Sequence, residues 1–469
     1  MNGGRRDAGP SRNVGRILCP ANDREVIFNV LIDYFQTGRF VARLLDQAQV
    51  PDDGIEYRGF CTEIICGVVR RQGTLNHLLT QIVSRPRQRV ELELWTLLLM
   101  GSYQLIYMSG VPQHAALHTS VELAKRMGRP GWSGFVNGVL RGLSRLLTSE
   151  ESSAPSERAV AIRPDVFRLC RESVFPSPVD QPVEYISAAF SFPSQSIATW
   201  LEARGFDETL RLAFWFNTPG SASIRINLHR STREDVISEL AAAGIRATAG
   251  RLPEAVCLER LGPVALLPGH IAGRFTVQDE SAMSASDLLD PQPETAILDV
   301  CAAPGTKTTH LAERMRNRGS ILATDIRQER LESVCDTVQR LGIEIVRTMQ
   351  ISENTSDLPA DLFDGVLVDV PCSNSGVLGK RPEARWRLEP PAIEQLRVIQ
   401  QRLLLAAVDR VRPGGRVVYS TCSINPDENE AVVRRALHLR PQMQLETERK
   451  FMPGQPADGA YQALLIRRS

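Results

Sequence analysis

Apolar residues recur three and four positions apart through the first third of the chain. Val26, Ile27, Val30, Leu31 and Tyr34 form one such stretch, and Leu92, Leu94, Leu97, Leu98, Tyr103, Leu105 and Ile106 form a later, more buried one. This spacing is one face of an α-helix and predicts an all-helical bundle over residues 24–148. Breakers at Pro51-Asp52-Asp53-Gly54, Arg85-Pro86, Gly110-Val111-Pro112 and Gly128-Arg129-Pro130-Gly131 separate its helices. A Ser- and Glu-rich piece, 148–155, reads as a linker. Helical spacing returns over 163–216, with Ile197, Trp200 and Leu201 on one face and Leu210, Ala213 and Phe214 on the next. The period then shortens to two at 223–228, a strand; 233–243 reads as helix, and 256–258 and 264–267 as further strands. From Phe275 onward, strands at 296–300, 320–324, 365–370 and 416–420 alternate with helices at 308–316, 327–341 and 392–411. That alternation is the sequence form of a doubly wound parallel sheet, whose ligands bind outside the carboxyl ends of the strands.

The expected organisation is multidomain, because 469 residues exceed what one hydrophobic core organises. It comprises a disordered lead-in (1–20), a helical bundle (21–148), a linker (149–162), a helical plus small α+β module (163–274) and a Rossmann-like α/β domain (275–469). The composition, 43% hydrophobic and 23% charged, is that of a soluble globular protein. No stretch approaches the roughly 20 apolar residues that span a bilayer, and the polar, basic start lacks the apolar core of a secretory signal. Nine cysteines without C-x-x-C pairs predict reduced thiols in the cytoplasm, with no structural disulfide and no metal.

The net charge of +1 hides an asymmetry. Residues 1–148 hold 18 Lys+Arg against 12 Asp+Glu, and the remainder 37 against 42. A basic module suits a polyanion. Only four of the cations are lysines, Lys125, Lys307, Lys380 and Lys450, and arginine forks onto phosphate oxygens. Arginine-favouring codons would produce the same bias, so RNA binding needs further support.

Candidate chemistry gathers at three predicted strand ends. Asp369-Val370-Pro371-Cys372-Ser373 and Ser420-Thr421-Cys422-Ser423 each deliver a cysteine to the rim of the sheet. Two such thiols suggest covalent catalysis at carbon, one attacking while a second group helps undo the adduct. The third piece, Asp299-Val300-Cys301-Ala302-Ala303-Pro304-Gly305-Thr306-Lys307-Thr308, lies between a strand and a helix. Ala302, Ala303 and Gly305 are small enough for close approach of a cofactor, and Asp325 ends the next strand, where an acid accepts from ribose hydroxyls. An acid there without G-x-G-x-x-G fits an adenosine cofactor that lacks a pyrophosphate.

DVCAAPGTKTTHLAERM, ATDIRQERL, DGVLVDVPCSNSGVLGKRPEARW and GGRVVYSTCSINPDENEAVV, in that order, closely resemble the RNA cytosine-C5 methyltransferases that use S-adenosylmethionine. GRFTVQDESA resembles the lead-in of that catalytic domain. EVIFNVL, GVVRRQGTLNHLL, LLLMGSYQLIYMSGVPQHAALHTSVELAKRM and FVNGVLRGL resemble the NusB-type RNA-binding fold. The fusion is similar to the bacterial RsmB/Sun (Fmu) family, which methylates a cytosine of 16S ribosomal RNA. The resemblance implies S-adenosylmethionine held by Cys301, Ala302, Ala303, Pro304, Gly305, Thr306 and Lys307 with Asp325 and Asp369. It implies Cys422 as nucleophile, Cys372 for product release and Asp369 for orienting the base, acting on free or early-assembly 16S RNA as a monomer. DNA cytosine methyltransferases attack with the Pro-Cys cysteine, so exchanged roles are the alternative for the thiols. A non-catalytic RNA-binding, antitermination-like factor is the alternative for the whole chain.

Several other residues enter with two readings. Lys380, Arg381, Arg385 and Arg387 surround Trp386, a mix suited to a flipped base and its backbone or to a solvated face. Pro426, Glu428 and Asn429 read as shaping the Thr-Cys loop, and His114 and His118 as packing or RNA contacts. The family pattern is broken twice: Thr306 stands where a second glycine is usual, and Ile351 where an aspartate follows the third strand, with Gln350 as a possible substitute.

Overall fold

The computed structural model describes residues 23–48, 55–220, 222–259, 264–454 and 457–468. The expected lead-in at 1–20 and the breaker at Pro51–Gly54 lie outside them. The chain divides into two compact units between Phe206 and Asp207.

The first unit begins with helices α1 (Asp23–Thr37), α2 (Val41–Gln47), α3 (Ile55–Ile82), α4 (Leu92–Tyr107), α5 (Gln113–Arg126) and α6 (Trp132–Leu146). Every residue of α4 from Glu93 to Ile106 is buried, as a helix that is apolar on most of its circumference must be. Gly101 permits this central position: a Cβ there would meet Leu140 Cδ1 at 2.5 Å and Ser120 Oγ at 2.9 Å.

The stretch read as a linker is ordered sheet instead. β1 (Leu147–Ser152), β2 (Ala159–Arg163) and β3 (Val166–Cys170) form an antiparallel sheet in the order β1-β3-β2. The polar residues that suggested an open chain are the exposed side of β1, whereas Ala159, Val160, Ala161, Phe167 and Cys170 are buried. Helices α7 (Pro182–Phe190) and α8 (Ser194–Asn217) follow, and α8 breaks at Gly205, where φ is +77°.

The second unit opens with a small antiparallel sheet. β4 (Ala222–Ile226), β5 (Ala247–Ala249), β6 (Ala255–Leu258) and β7 (Phe275–Val277) lie in the order β5-β6-β4-β7, with α9 (Arg233–Ala242) packed on them. Residues 264–267, expected as a strand, form a 3-10 turn over Val264–Leu266. Pro268 follows at once and Gly269 takes φ of +84°, so the run turns; Leu267 enters the core while Leu266 faces out.

The main sheet contains β8 (Ala296–Val300), β9 (Ser320–Asp325), β10 (Val346–Gln350), β11 (Phe363–Asp369), β12 (Val411–Thr421), β13 (Met443–Phe451) and β14 (Ala460–Arg467). Their order is β10-β9-β8-β11-β12-β14-β13. Its helices are α10 (Glu280–Leu289), α11 (Thr306–Arg314), α12 (Gln328–Leu341), α13 (Pro390–Val408) and α14 (Glu430–Leu439). The first five strands are parallel, as expected; β14 and β13 add an antiparallel edge. Side chains alternate across the sheet: Val366 and Val368 pack with Leu403 of α13 and Val432 of α14, while Leu367 packs with Leu288 of α10 and Leu311 of α11. The predicted helix at 392–411 overran its end, because Val411 already belongs to β12 and pairs with Phe363.

Register then positions the site. Thr324, Val300, Val368 and Tyr419 are successive partners across β9, β8, β11 and β12. The four strands end at this row or within two residues of it, on the carboxyl rim of the sheet. The order reverses between β8 and β11, which makes this rim the topological switch point where α/β sheets take ligands. Among the described residues no helix is long and apolar enough to cross a membrane.

Candidate active site

The loop after β8 turns sharply. Cys301 takes φ of +65° and Gly305 φ of +96°. A Cβ on Gly305 would meet Val334 Cα at 3.1 Å and Cγ1 at 3.2 Å, so only glycine lets the loop close against α12. Thr306 opens α11 rather than the turn, so a side chain is accommodated where a second glycine is usual. Ala302 and Ala303 are buried beside Val334 and Leu331. From β4, the fully buried Arg225 reaches this loop from beneath. It donates to Thr306 O at 2.7 Å and Thr309 Oγ1 at 3.0 Å, and pairs with Glu313 at 2.9 Å.

Acids surround the loop. Asp299 is buried and accepts from Thr308 Oγ1 at 2.6 Å, and burial pushes its carboxyl up to about 7. Asp325 accepts from Arg327 N at 3.2 Å, with the Arg330 guanidinium 3.2 Å from its other oxygen; Arg330 also donates to Ala303 O at 2.8 Å. Burial, then Asp325, Asp369 and Asp299, pushes the Cys301 thiol well above its ordinary value. This leaves Cys301 a protonated, unreactive lining residue. Asp299 Oδ1 and Asp325 Oδ2 receive no hydrogen bond from the described residues. A cradle of small residues flanked by two under-used buried carboxylates fits the ribose and ammonium groups of an aminoacyl-type adenosine cofactor.

Lys307 reaches from this loop to the end of β11, its Nζ 2.7 Å from Asp369 Oδ2. Burial works against the ammonium, but the Asp369 charge and hydrogen bond outweigh it and leave the amine above its ordinary value. Beyond Asp369 and Thr421, the two cysteines meet with Cys372 Sγ 3.1 Å from Cys422 Sγ. Their environments make them unequal. The hydrogen bond from Cys372 lowers the Cys422 thiol below its ordinary value, with help from Arg381 and Lys307 and against burial and Asp369. The same bond, then burial, holds Cys372 well above its own. Of the two, Cys422 is therefore the sulfur that gives up its proton more readily, with Cys372 as the donor to it.

Glu428 holds this arrangement, a larger part than its reading as a helix-start residue suggested. Its buried carboxyl accepts from Ser373 N at 2.8 Å, Gln400 Nε2 at 3.0 Å, Ser423 Oγ at 2.6 Å and Ser373 Oγ. Ser373 and Ser423 each follow a cysteine, so one carboxyl anchors both thiol loops. Asn429 completes the second, accepting from Thr421 Oγ1 at 2.6 Å and donating to Ser423 O at 2.9 Å. Glu428→Ala leaves these donors buried without an acceptor and is expected to cost about 3 kcal/mol. Chemical denaturation of Glu428→Ala and Glu428→Gln checks this. The glutamine variant should retain most stability, since the serine hydroxyls can turn to suit an amide.

Other expected residues are placed differently. Arg385 is fully buried and donates to Asn217 Oδ1 at 2.9 Å and Phe216 O at 3.0 Å, so it braces the fold rather than facing a base. Lys380 is held by Asp279 and Asp458, each at 2.8 Å. Arg381 turns to the thiols through Asn374, at 3.0 Å. Ile351 is buried in the core, and Gln350, in register with Asp325, donates to Ile326 O at 3.1 Å. His114 and His118 are exposed rather than packed, and line an open groove of about 500 Å³ with Lys125 and Arg141. Arg225, Asn374 and the three serines, Ser373, Ser375 and Ser423, escaped the sequence reading. Only the serines carried a signal, by following or flanking the cysteines.

Comparisons with known proteins bear on the chain's family and fold. The profile of the 16S rRNA methyltransferase RsmB/F family matches residues 286–465, the NusB family 21–145, and an RsmF/B-like ferredoxin-like domain 192–265. A probable ribosomal RNA small subunit methyltransferase B of Synechocystis is 37% identical over 424 residues, 88% of each chain. The ribosomal RNA small subunit methyltransferase B of Salmonella typhi is 32% identical over 420 residues, 87% of this chain and 90% of its own. The crystal structure of PH0851 superposes with a TM-score of 0.75 at 25% identity, covering 94% of this chain and 98% of that one. NSun6 from Pyrococcus horikoshii with SFG, at 22% identity and a TM-score of 0.55 over 59% of this chain and 99% of its own, shares the fold. S-adenosylmethionine is the cofactor such a domain takes. A helical NusB domain, a ferredoxin-like module and a methyltransferase sheet in one chain, matched at 30–37% identity along most of its length, make this protein a member of the ribosomal RNA small subunit methyltransferase B family.

Proposed function

We propose that this rRNA methyltransferase modifies carbon 5 of a cytosine in 16S ribosomal RNA through a covalent bond between Cys422 and carbon 6. The observation that carries the reading is the pair of strand-end sulfurs 3.1 Å apart, one shifted toward easier and the other toward harder ionisation, beside the cofactor loop. Cytosine C5 is a weak nucleophile until a group adds at C6, and then becomes an enamine-like carbon. Cys422 Sγ supplies that addition. Asp369, oriented by Lys307, accepts from N3 of the ring, which takes a proton from solvent as C6 is attacked, and so steadies the charge that develops there. S-adenosylmethionine, held by the loop 301–307 with Asp325, supplies an electrophilic methyl group; Gln350 offers a side-chain oxygen at the neighbouring strand end. Once C5 carries the methyl group its proton passes to solvent water, and the electrons of that C–H bond reform the C5–C6 double bond as the C6–S bond breaks and N3 returns its proton to solvent. Cys372, donating to the departing Cys422 sulfur, eases that step.

The basic, arginine-rich bundle suits RNA that is free or in early assembly, and a monomer working in the cytoplasm suffices. A non-catalytic role is not favoured, since relatives at 30–37% identity are named methyltransferases. Bisulfite sequencing of small-subunit RNA from a deletion strain tests the reading. One protected cytosine in the parent should become convertible in the deletion strain, and return with the gene. An unchanged pattern, or tritium from labelled S-adenosylmethionine recovered in another base, would overturn it.

A further inference from the structure

Asn374 lies two residues past Cys372 and takes φ of +60°, in the left-handed region that asparagine tolerates better than most residues. In that conformation its amide makes three contacts. Nδ2 donates to Cys372 O at 3.0 Å, Oδ1 accepts from Arg381 Nη1 at 3.0 Å, and the same oxygen lies 3.3 Å from Cys422 Sγ. The first two settle which way the amide points, because a carbonyl can only accept and a guanidinium can only donate. The group that faces Cys422 is therefore the oxygen. Having no proton to give, it can bond the sulfur only while Cys422 is a thiol. The Cys372 bond has the opposite requirement, since a donated S–H, 3.1 Å away, favours Cys422 as a thiolate. Two neighbours of one sulfur thus prefer different protonation states.

We propose that Asn374 is a positioning residue that holds Cys422 as a resting thiol through its side-chain oxygen, and that the Cys372 hydrogen bond takes over once the proton is released to water. The inference rests on Cys422 being the attacking group. The other groups facing this sulfur are Asp369, which disfavours the thiolate, and Arg381 and Lys307, which favour it. Arg381 therefore acts in two ways: directly as a cation, and by fixing the amide that opposes ionisation. A resting thiol is less open to oxidation and to stray electrophiles than a standing thiolate.

Alkylation of the full chain by iodoacetamide over a range of pH, without RNA, provides the test, with modification of Cys422 followed by peptide mass spectrometry. Asn374→Gly removes the amide and keeps the left-handed turn. Its midpoint should fall by about one pH unit, a gain of several-fold in rate on the acid side. Asn374→Asp retains the Arg381 contact and places a carboxylate against the sulfur, so its midpoint should rise and its rate fall several-fold. Opposite displacements support the proposal; unchanged midpoints, or displacements in the same direction, overturn it. A purely structural role would alter stability but not separate the two midpoints by charge. Failure of the underlying reading is distinguishable, because it would show as methyl transfer by Cys422→Ala whatever the alkylation profiles.

Discussion

Cys422→Ala is expected to transfer no measurable methyl group to small-subunit RNA, a loss on the order of 10⁴-fold or more, while still binding RNA and S-adenosylmethionine. The size of the effect follows from the chemistry, because without a group added at C6 the ring carbon is not a competent nucleophile. Nothing else at the site replaces it. Cys301 is held protonated by burial first and then by Asp325, Asp369 and Asp299. Cys372 is likewise held protonated, chiefly by its bond to Cys422. Incorporation of tritium from labelled S-adenosylmethionine checks this. Wild-type activity in the variant would remove Cys422 from the mechanism and reopen the exchange of roles between the thiols.

Cys372→Ala is expected to behave in a different way, slowing turnover about 10- to 100-fold and leaving protein bound to RNA after denaturation. The bond from Cys372 to the Cys422 sulfur is a hydrogen bond to a charged group, worth about 1.5–3 kcal/mol. Losing it raises the barrier to departure of the thiolate by that amount, hence the range in rate. The attack step loses the same stabilisation, but methylation commits the adduct forward, so the complex accumulates before release. A slowly migrating band on a denaturing gel, dependent on S-adenosylmethionine and abolished in the Cys372→Ala, Cys422→Ala double variant, is the expected readout. No band, with turnover lowered as in Cys422→Ala, would indicate that Cys372 acts before the adduct forms.

Much of the architecture was legible because its elements are locally determined. β8 is buried along most of its length and sits between turn residues, so its bounds, Ala296–Val300, coincide with the expected ones. α4 declared itself through an apolar content that only a central helix can bury. The misreadings arise where tertiary pairing decides. Leu147–Ser152 is polar and becomes a strand because β3 offers it a ladder. Met443–Phe451, for which the sequence suggested no element, has apolar residues at wide intervals and is a strand because β14 lies beside it. The site divides in the same way: both cysteines, Asp325 and the cofactor loop stood out by residue type and position at strand ends. Asn374, Arg225 and Arg385 did not, since their parts depend on partners distant in sequence, and for Arg385 the exposed reading of a basic run was the wrong one.

The anchoring of the loops has a mechanical side. The two thiol loops share Glu428 and so belong to one body, carried by β11, β12 and α13. The cofactor loop is fastened elsewhere, to Val334 of α12 by close packing and to Arg225 of the small sheet. Lys307 and Asp369 bridge the two halves. Because β8 and β11 are also paired along their length, the two anchorages ride on one sheet, and the ion pair sets the fine spacing between cofactor and sulfurs instead of carrying the load of holding them together.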